Sequence, residues 1–349
     1  MDTAAFDYEL PEERIAQHPL VERDAARLLV DRGPGRPPDH RVVRDLPELL
    51  EPGDLVVVNT TRVLPARLHL RKATGGAAEV LLLERVEAAA AAGDPGGTVW
   101  EALVRPSRKL PPGTELRPPD GGDDLVVVTG EDLGEGRRLV ELRTAGDELT
   151  TLERHGEMPL PPYITARLDD PERYQTVFSR RPGSAAAPTA GLHLTPEVLA
   201  HLDERGVQRA EVELVVGLGT FRPITAEVVE DHVMHSEQYR VPAATAEACA
   251  RTRAAGGRVV AVGTTAVRAL ESAAVRGEPE GRTDLFITPG YRWQVVDRLL
   301  TNFHLPRSSL LVMIEAFVGP RWRDLYTAAL DERYRFLSFG DAMLIERKR

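Results

Sequence analysis

The chain has 349 residues, of which 42% are hydrophobic and 28% charged, with a formal net charge of −10. At about 150 residues per domain this predicts two domains; no apolar run approaches the roughly 20 residues of a membrane span, and the acidic start Met1–Asp7 lacks the basic and apolar regions of a signal peptide. Cys249 is the single cysteine, which excludes an intramolecular disulfide and a Cys-rich zinc site and makes the cytoplasm the expected location; the negative charge disfavours coating of nucleic acid but allows a local basic patch.

Residues 1 to about 60 alternate helix and strand signals. Asp54–Thr60 reads as a buried strand with a polar end, closed by Asn59-Thr60-Thr61-Arg62. From 62 to 150 the pattern changes. Ala77–Val86, Thr98–Val104, Leu125–Thr129 and Arg138–Arg143 are short, rich in Val and Leu, and punctuated by Gly, Pro and Asp. That spacing predicts a small antiparallel sheet or barrel, with Ala88–Gly97 and Pro118–Asp124 as loops. Gly156–Ile164 is a stiff, Pro-rich crossing back to the main domain. Beyond 150, helices are predicted at 196–205, 245–255, 265–276 and 321–332. Strands are predicted at 210–216, 258–263 and 284–288. Gly206 and Gly256 stand where helices should stop. The fold class is therefore α/β. A mixed α/β catalytic domain, discontinuous over 1–61 and 151–349, carries an inserted small antiparallel β-barrel domain at 62–150.

Three clusters carry chemistry. Ala186–Thr195 is a small-residue loop that delivers His193 to the start of a helix. Thr195 caps it, Pro196 suits its first position and Glu197 complements its positive end. Backbone N–H groups at such an end bind anions and polar ligands; the alternative is a mobile surface loop with a solvated histidine. His232–Glu237 gathers three titratable side chains. If extended, it puts His235 and Glu237 on one face, where a carboxylate can orient a histidine. His232, His235 and Glu237 are also ordinary metal ligands, or a surface turn. Gly263–Ser272 follows an apolar strand and opens a helix, placing Thr264 and Thr265 where open α/β sheets bind ligands. There Arg268 and Glu271 are spaced to pair on one helix face. Gly217–Pro223 looks like a ligand-approach loop, because glycines such as Gly219 admit close contact. Thr301–Pro306 adds polar groups before the apolar run Ser308–Phe317. Neither G-x-G-x-x-G nor G-x-x-x-x-G-K-[ST] occurs.

In this order the segments resemble the S-adenosylmethionine:tRNA ribosyltransferase-isomerase family of queuosine biosynthesis. The resemblance runs from Phe6-Asp7-Tyr8-Glu9-Leu10-Pro11 to Tyr334–Met343. It includes Asn59–Val63, Met158–Ile164, Tyr174–Ser179, Pro182-Gly183, Ala187–His193, Met234–Glu237, Val262–Arg268 and Thr301–Pro306. It implies that S-adenosylmethionine donates its ribosyl group to the aminomethyl group of a 7-deazaguanine wobble base in tRNA. The ribosyl is isomerised to an epoxycyclopentane, giving epoxyqueuosine tRNA, adenine and methionine. S-adenosylmethionine is then a co-substrate and no metal is required. The other partner is the anticodon loop of tRNA, no membrane is involved, and the chain is expected as a monomer.

Such a reaction needs a base near the sulfonium, a donor for departing adenine and exclusion of water. The resemblance makes Glu237 or His235 the candidate base, and His193 and His304 candidates for donor or base-edge contacts. Gly191, Gly219, Thr264, Thr265 and Arg268 are candidates for holding the co-substrate, the last three through its methionine carboxylate or, alternatively, tRNA phosphates. Arg62, Arg67, Arg71 and Lys72, with Arg105, Arg108 and Lys109, are the candidate tRNA contacts; the alternative is charged strand edges. Tyr163, Phe221 or Phe303 are candidates for stacking on the base, or core residues. The chain departs from many relatives at Leu194, Val215 and Arg240. The rival readings are a metal-dependent hydrolase built on His232, His235 and Glu237, a methyltransferase disfavoured by the missing Gly-rich loop, and a non-catalytic RNA-binding module.

Overall fold

The computed structural model describes residues 1–86, 97–217 and 223–348. The chain forms two compact units. One comprises Met1–Thr61, Pro161–Arg181 and Ala187–Arg349; the other comprises Arg62–Leu160 and Pro182–Ala186. The second therefore runs ten residues past the boundary at 150. The extension is held by local pairing: Gly156 and Glu157 pair antiparallel with Leu68 and Arg67. Its helix Glu148–His155 ends with His155 Nε2 3.0 Å from Asp124 Oδ1.

The second unit is a closed six-stranded antiparallel barrel. Its strands run in the order Arg67–Lys72, Ala77–Arg85, Gly97–Arg105, Arg137–Thr144, Leu125–Gly134 and Glu115–Arg117. Closure is made where Arg71 and Lys72 pair with Arg117 and Leu116. Alternate residues fill the interior: Leu68, Val80, Ala102, Val127 and Val140 are all inaccessible to solvent. The four Val- and Leu-rich runs are strands, as their alternation predicts. Pattern does not mark Arg67–Lys72 or Glu115–Arg117, which are short and carry arginine on the outer face.

A nine-stranded mixed sheet forms the first unit. In spatial order its strands are Glu280–Thr283, Glu237–Arg240, Gln208–Leu214, Leu55–Asn59, Val259–Val262, Arg298–Asn302, Ala342–Glu346, Arg27–Val30 and Asp39–Val42. The four strands from Gln208–Leu214 to Arg298–Asn302 are mutually parallel. Every residue of Leu55–Asn59, Val259–Val262 and Arg298–Asn302 is buried, as a parallel strand covered on both faces requires. Val56, Val58, Val260, Val262 and Leu300 join Leu199 and Leu202 of the helix Pro196–Glu204 in one apolar cluster. The helices Ala243–Ala254, Gly263–Arg276 and Trp322–Asp331 lie where the periodicity puts them. Gly206 and Gly256 end their helices with φ of +76° and +83°.

One assignment is corrected. The strand expected at 284–288 is Glu280–Thr283, which pairs with Glu237–Arg240. Thr283 Oγ1 then accepts the Leu285 N–H at 3.1 Å, and the chain leaves the ladder. The apolar run after Thr301–Pro306 is a helix, Ser309–Val318, capped by Ser308 on the Leu311 N–H.

One buried carboxylate organises the return of the chain to the sheet. Glu271, fully inaccessible, accepts the N–H groups of Gln294, Val295 and Val296 at 2.9, 3.0 and 2.9 Å. It also accepts the Tyr291 hydroxyl at 3.0 Å. Removing the carboxylate orphans three backbone donors, each costly to bury unpaired. Glu271→Ala should lower stability by about 4 kcal/mol, read as a lower urea midpoint with unchanged slope; a shift under about 1 kcal/mol would refute this role.

Candidate active site

A cavity opens at the carboxyl ends of the parallel strands, the end where open α/β sheets bind ligands. It encloses about 620 Å³ including its open mouth. Three strand exits build its floor. Gln208–Leu214 leads to Val216, Val259–Val262 to Gly263, Thr264 and Thr265, and Arg298–Asn302 to Phe303 and His304. Ala187–Ala190 and Leu337-Ser338 supply facing walls, with Tyr163 beside them. Gly263 turns strand into helix within one residue, at φ +85°, a conformation that favours glycine.

The polar groups of the cavity are fixed in place. The His304 backbone N–H donates to Tyr326 Oη at 2.9 Å, and its carbonyl accepts from Tyr8 Oη at 2.5 Å. Its ring Nε2 lies 3.0 Å from Thr301 Oγ1. Thr189 Oγ1 donates to Asn302 Oδ1 at 2.9 Å, and Asn302 Nδ2 lies 2.9 Å from His193 Nε2 and 3.3 Å from the Asp341 carbonyl. With the amide nitrogen donating, Nε2 of His193 is the acceptor and its ring proton is on Nδ1. Tyr163 Oη is 2.7 Å from Ser338 Oγ. Thr265 Oγ1 is buried with no hydrogen-bond partner among the described residues.

His193 is not on a surface loop. It ends a buried 3₁₀ turn, Thr189–His193, just before Thr195 caps the next helix on the Val198 N–H and Pro196 begins it. Its ring lines a second, smaller cavity with Arg23 and Arg173. Gly191 lies outside the lining of both cavities. A Cβ there would meet Phe178 Cζ at 2.7 Å and Thr176 Cγ2 at 3.0 Å, so packing, rather than a ligand, demands the glycine. Leu194 is fully buried in the main apolar cluster. Phe303 is a core residue as well as a wall of the cavity, 4.7 Å from Phe336 and 5.4 Å from Tyr326 between ring centres.

The second and third sequence clusters meet each other. Glu237, the first residue of its strand, is buried and forms an ion pair with Arg268. The Gly217 N–H donates to its other oxygen at 3.2 Å, one residue beyond the cavity-lining Val216. Arg268 thus does not pair with Glu271, whose oxygens are taken by the Tyr291–Val296 segment. His235 is exposed, so it does not share a buried face with Glu237. The histidine–histidine–carboxylate metal set is not assembled; among the described residues no group of three His, Cys, Asp or Glu is placed to hold a metal. Gly219 and Phe221 lie outside the described residues. Val215 donates its N–H to the Gln238 carbonyl at 2.9 Å, while Arg240 lies 3.8 Å from Glu213 and 3.6 Å from Glu280.

In the barrel unit, Arg105, Arg108 and Lys109 are exposed and Arg62 and Arg67 half-buried. Register sets Arg105 opposite Glu79 and Glu79 opposite His69, and Arg67 Nη1 lies 4.0 Å from Glu79 Oε2. The sequence marks the segments holding Thr301, Asn302 and Ser338 without giving those residues a role, whereas Tyr163, a stacking candidate, lines the cavity. Thr301 and Asn302 are the last residues of their strand, directly after its apolar Leu299-Leu300.

The architecture defines a class: an α/β protein with a ligand cavity at the carboxyl ends of its strands, in a chain that also folds a closed β-barrel. The model of the queuosine biosynthesis protein family matches residues 3–345, and the chain belongs to that family. An S-adenosylmethionine:tRNA ribosyltransferase-isomerase of Rubrobacter xylanophilus is 52% identical, covering 99% of this chain and 98% of its own length. One of Synechococcus elongatus is 51% identical, covering 98% and 95%. The crystal structure of S-adenosylmethionine tRNA ribosyltransferase from Thermotoga maritima aligns over 98% of this chain and 99% of its own, at 39% identity and a TM-score of 0.55. Among the described residues no helix is long and apolar enough to cross a membrane.

Burial pushes His304 down to about 3. Burial, then the charges of Arg335 and Arg23, push His193 down to about 4. Both rings are neutral in the folded protein, whereas the unfolded chain protonates them near 6.5. Their contribution is complete above pH 6.5 and is lost as pH falls toward 4, because the unfolded state then binds the extra protons. Unfolding free energy measured by urea should fall from pH 6.5 to 5 with a slope approaching two protons. His304→Gln should reduce that slope by about one; an unchanged slope would mean that this ring is not held neutral.

Proposed function

We propose that the chain transfers and isomerises the ribosyl group of S-adenosylmethionine onto the 7-aminomethyl-7-deazaguanine wobble base of tRNA. The products are epoxyqueuosine tRNA, adenine and methionine. The observation that carries this reading is near-full-length identity of about half to relatives bearing that name. We read the enzyme as a cytoplasmic monomer acting at the anticodon loop.

The cavity supports this reading by its chemistry. A positively charged sulfonium acidifies the hydrogens beside it, and the intermediates that follow must be kept from water. A largely apolar pocket with a few fixed polar groups suits that need. We assign substrate contact to His304, Thr264 and Thr265. Glu237, buried and paired with Arg268, is the remaining carboxylate candidate for base work. Glu237→Gln should abolish release of adenine and methionine from S-adenosylmethionine in the presence of the modified tRNA, while co-substrate binding persists. Unchanged turnover would remove Glu237 from the mechanism. In the wild type, release that does not require the modified tRNA, or adds no mass to its wobble base, would refute the assignment itself.

For tRNA we assign Arg62, Arg67, Arg105, Arg108 and Lys109 on the barrel unit. Arginine forks match phosphate oxygens in pairs. The triple substitution Arg105→Ala, Arg108→Ala and Lys109→Ala should weaken tRNA binding and flatten its dependence on salt by about one unit of log–log slope per lost phosphate contact. An unaltered slope would move the RNA surface elsewhere.

A further inference from the structure

We propose that the cavity holds the adenine ring of the co-substrate and excludes its methionine end. The inference rests on the function proposed above and goes further, because it assigns one part of the molecule to one place.

Charge decides the matter. Among the described lining residues there is no Asp, Glu, Lys or Arg. An amino-acid end bearing a carboxylate and an ammonium would therefore be buried without partners, at a cost of several kcal/mol per unpaired ion. The aminomethyl group of the acceptor base carries a primary amine, a cation as the free base at neutral pH, and it too lacks a carboxylate here. Adenine is uncharged near neutrality, flat, and rich in hydrogen-bonding edges.

The lining matches such a ring. Ala187, Ala190, Val216, Leu310 and Leu337 offer apolar surface for its faces. At its edge stands Thr265, 7% exposed, whose hydroxyl has no partner among the described residues. An orphaned buried hydroxyl is costly to keep, and a hydroxyl can donate to a ring nitrogen or accept from an amine. Asn302 Oδ1 accepts from Thr189 and retains a second lone pair that suits an exocyclic amine. Two independent features thus point to one ligand: a wall without charge, and a polar atom with nothing to bind.

Equilibrium dialysis with labelled adenine tests this. Adenine alone should bind the wild-type protein and displace S-adenosylmethionine, and methionine should not displace adenine. Thr265→Val should weaken adenine binding about tenfold, and Thr265→Ser should restore it to within about twofold. Leu310→Trp, which adds bulk to the cavity lining, should abolish it. Thermal melts establish that each variant is folded. No adenine binding to the wild type would overturn the proposal, as would equal binding by Thr265→Val. Free 7-aminomethyl-7-deazaguanine displacing adenine at concentrations below those at which adenine itself binds would give the cavity to the acceptor base instead. The two readings fail separately. Hydroxyl-dependent adenine binding without turnover would sink the reaction and keep the adenine site; turnover with adenine binding indifferent to Thr265 would do the reverse.

Discussion

The structure depends on parallel strands buried on both faces. Leu55–Asn59, Val259–Val262 and Arg298–Asn302 have no solvated side, so their middles are apolar and their polar residues, Asn59, Arg298, Thr301 and Asn302, stand toward the ends. Polar groups can appear only where such strands end, and because the strands are parallel, their carboxyl ends coincide. Asn59, Gly263-Thr264-Thr265 and Asn302–His304 all follow from this one constraint. The site is where the sheet stops being able to exclude water-loving atoms.

Much of this was legible in the residues. The change from alternating short runs to helix–strand alternation marked the barrel. The Gly263 break after an apolar run located the cavity floor, since only a strand exit explains a glycine and two threonines between two buried elements. Partner choice was not legible. The three-residue spacing of Arg268 and Glu271 suggested a pair, yet each found a partner far along the chain, in Glu237 and in the backbone of Gln294–Val296. Helical spacing says which side chains could touch; it does not include competitors brought in by the sheet. Gly191 shows the same, since Phe178, the ring that requires it, comes from a different segment of the chain.

Electrostatically, the first unit separates two environments. His304 and His193 are uncharged and hydrogen-bonded to neutral partners. Glu237 and Arg268 form a buried ion pair anchored by the N–H of Gly217, next to a cavity wall. Neutral groups line the space and ions brace its flank. A buried pair is seldom the most stabilising choice, and replacing it with apolar side chains is often neutral. Its retention here is better understood as a fixed local field beside a site that proposes to handle a cationic co-substrate.

Closure of the barrel carries an evolutionary consequence. A sheet with open edges must defend them, and its surface residues are conscripted into that defence. Where the last strand pairs back onto the first, that duty lapses. Interior residues alone then hold the ring together, and the outward-facing half of every strand is released to vary. A lineage could repaint the exterior for a different partner, one charge at a time, with little risk to the scaffold beneath.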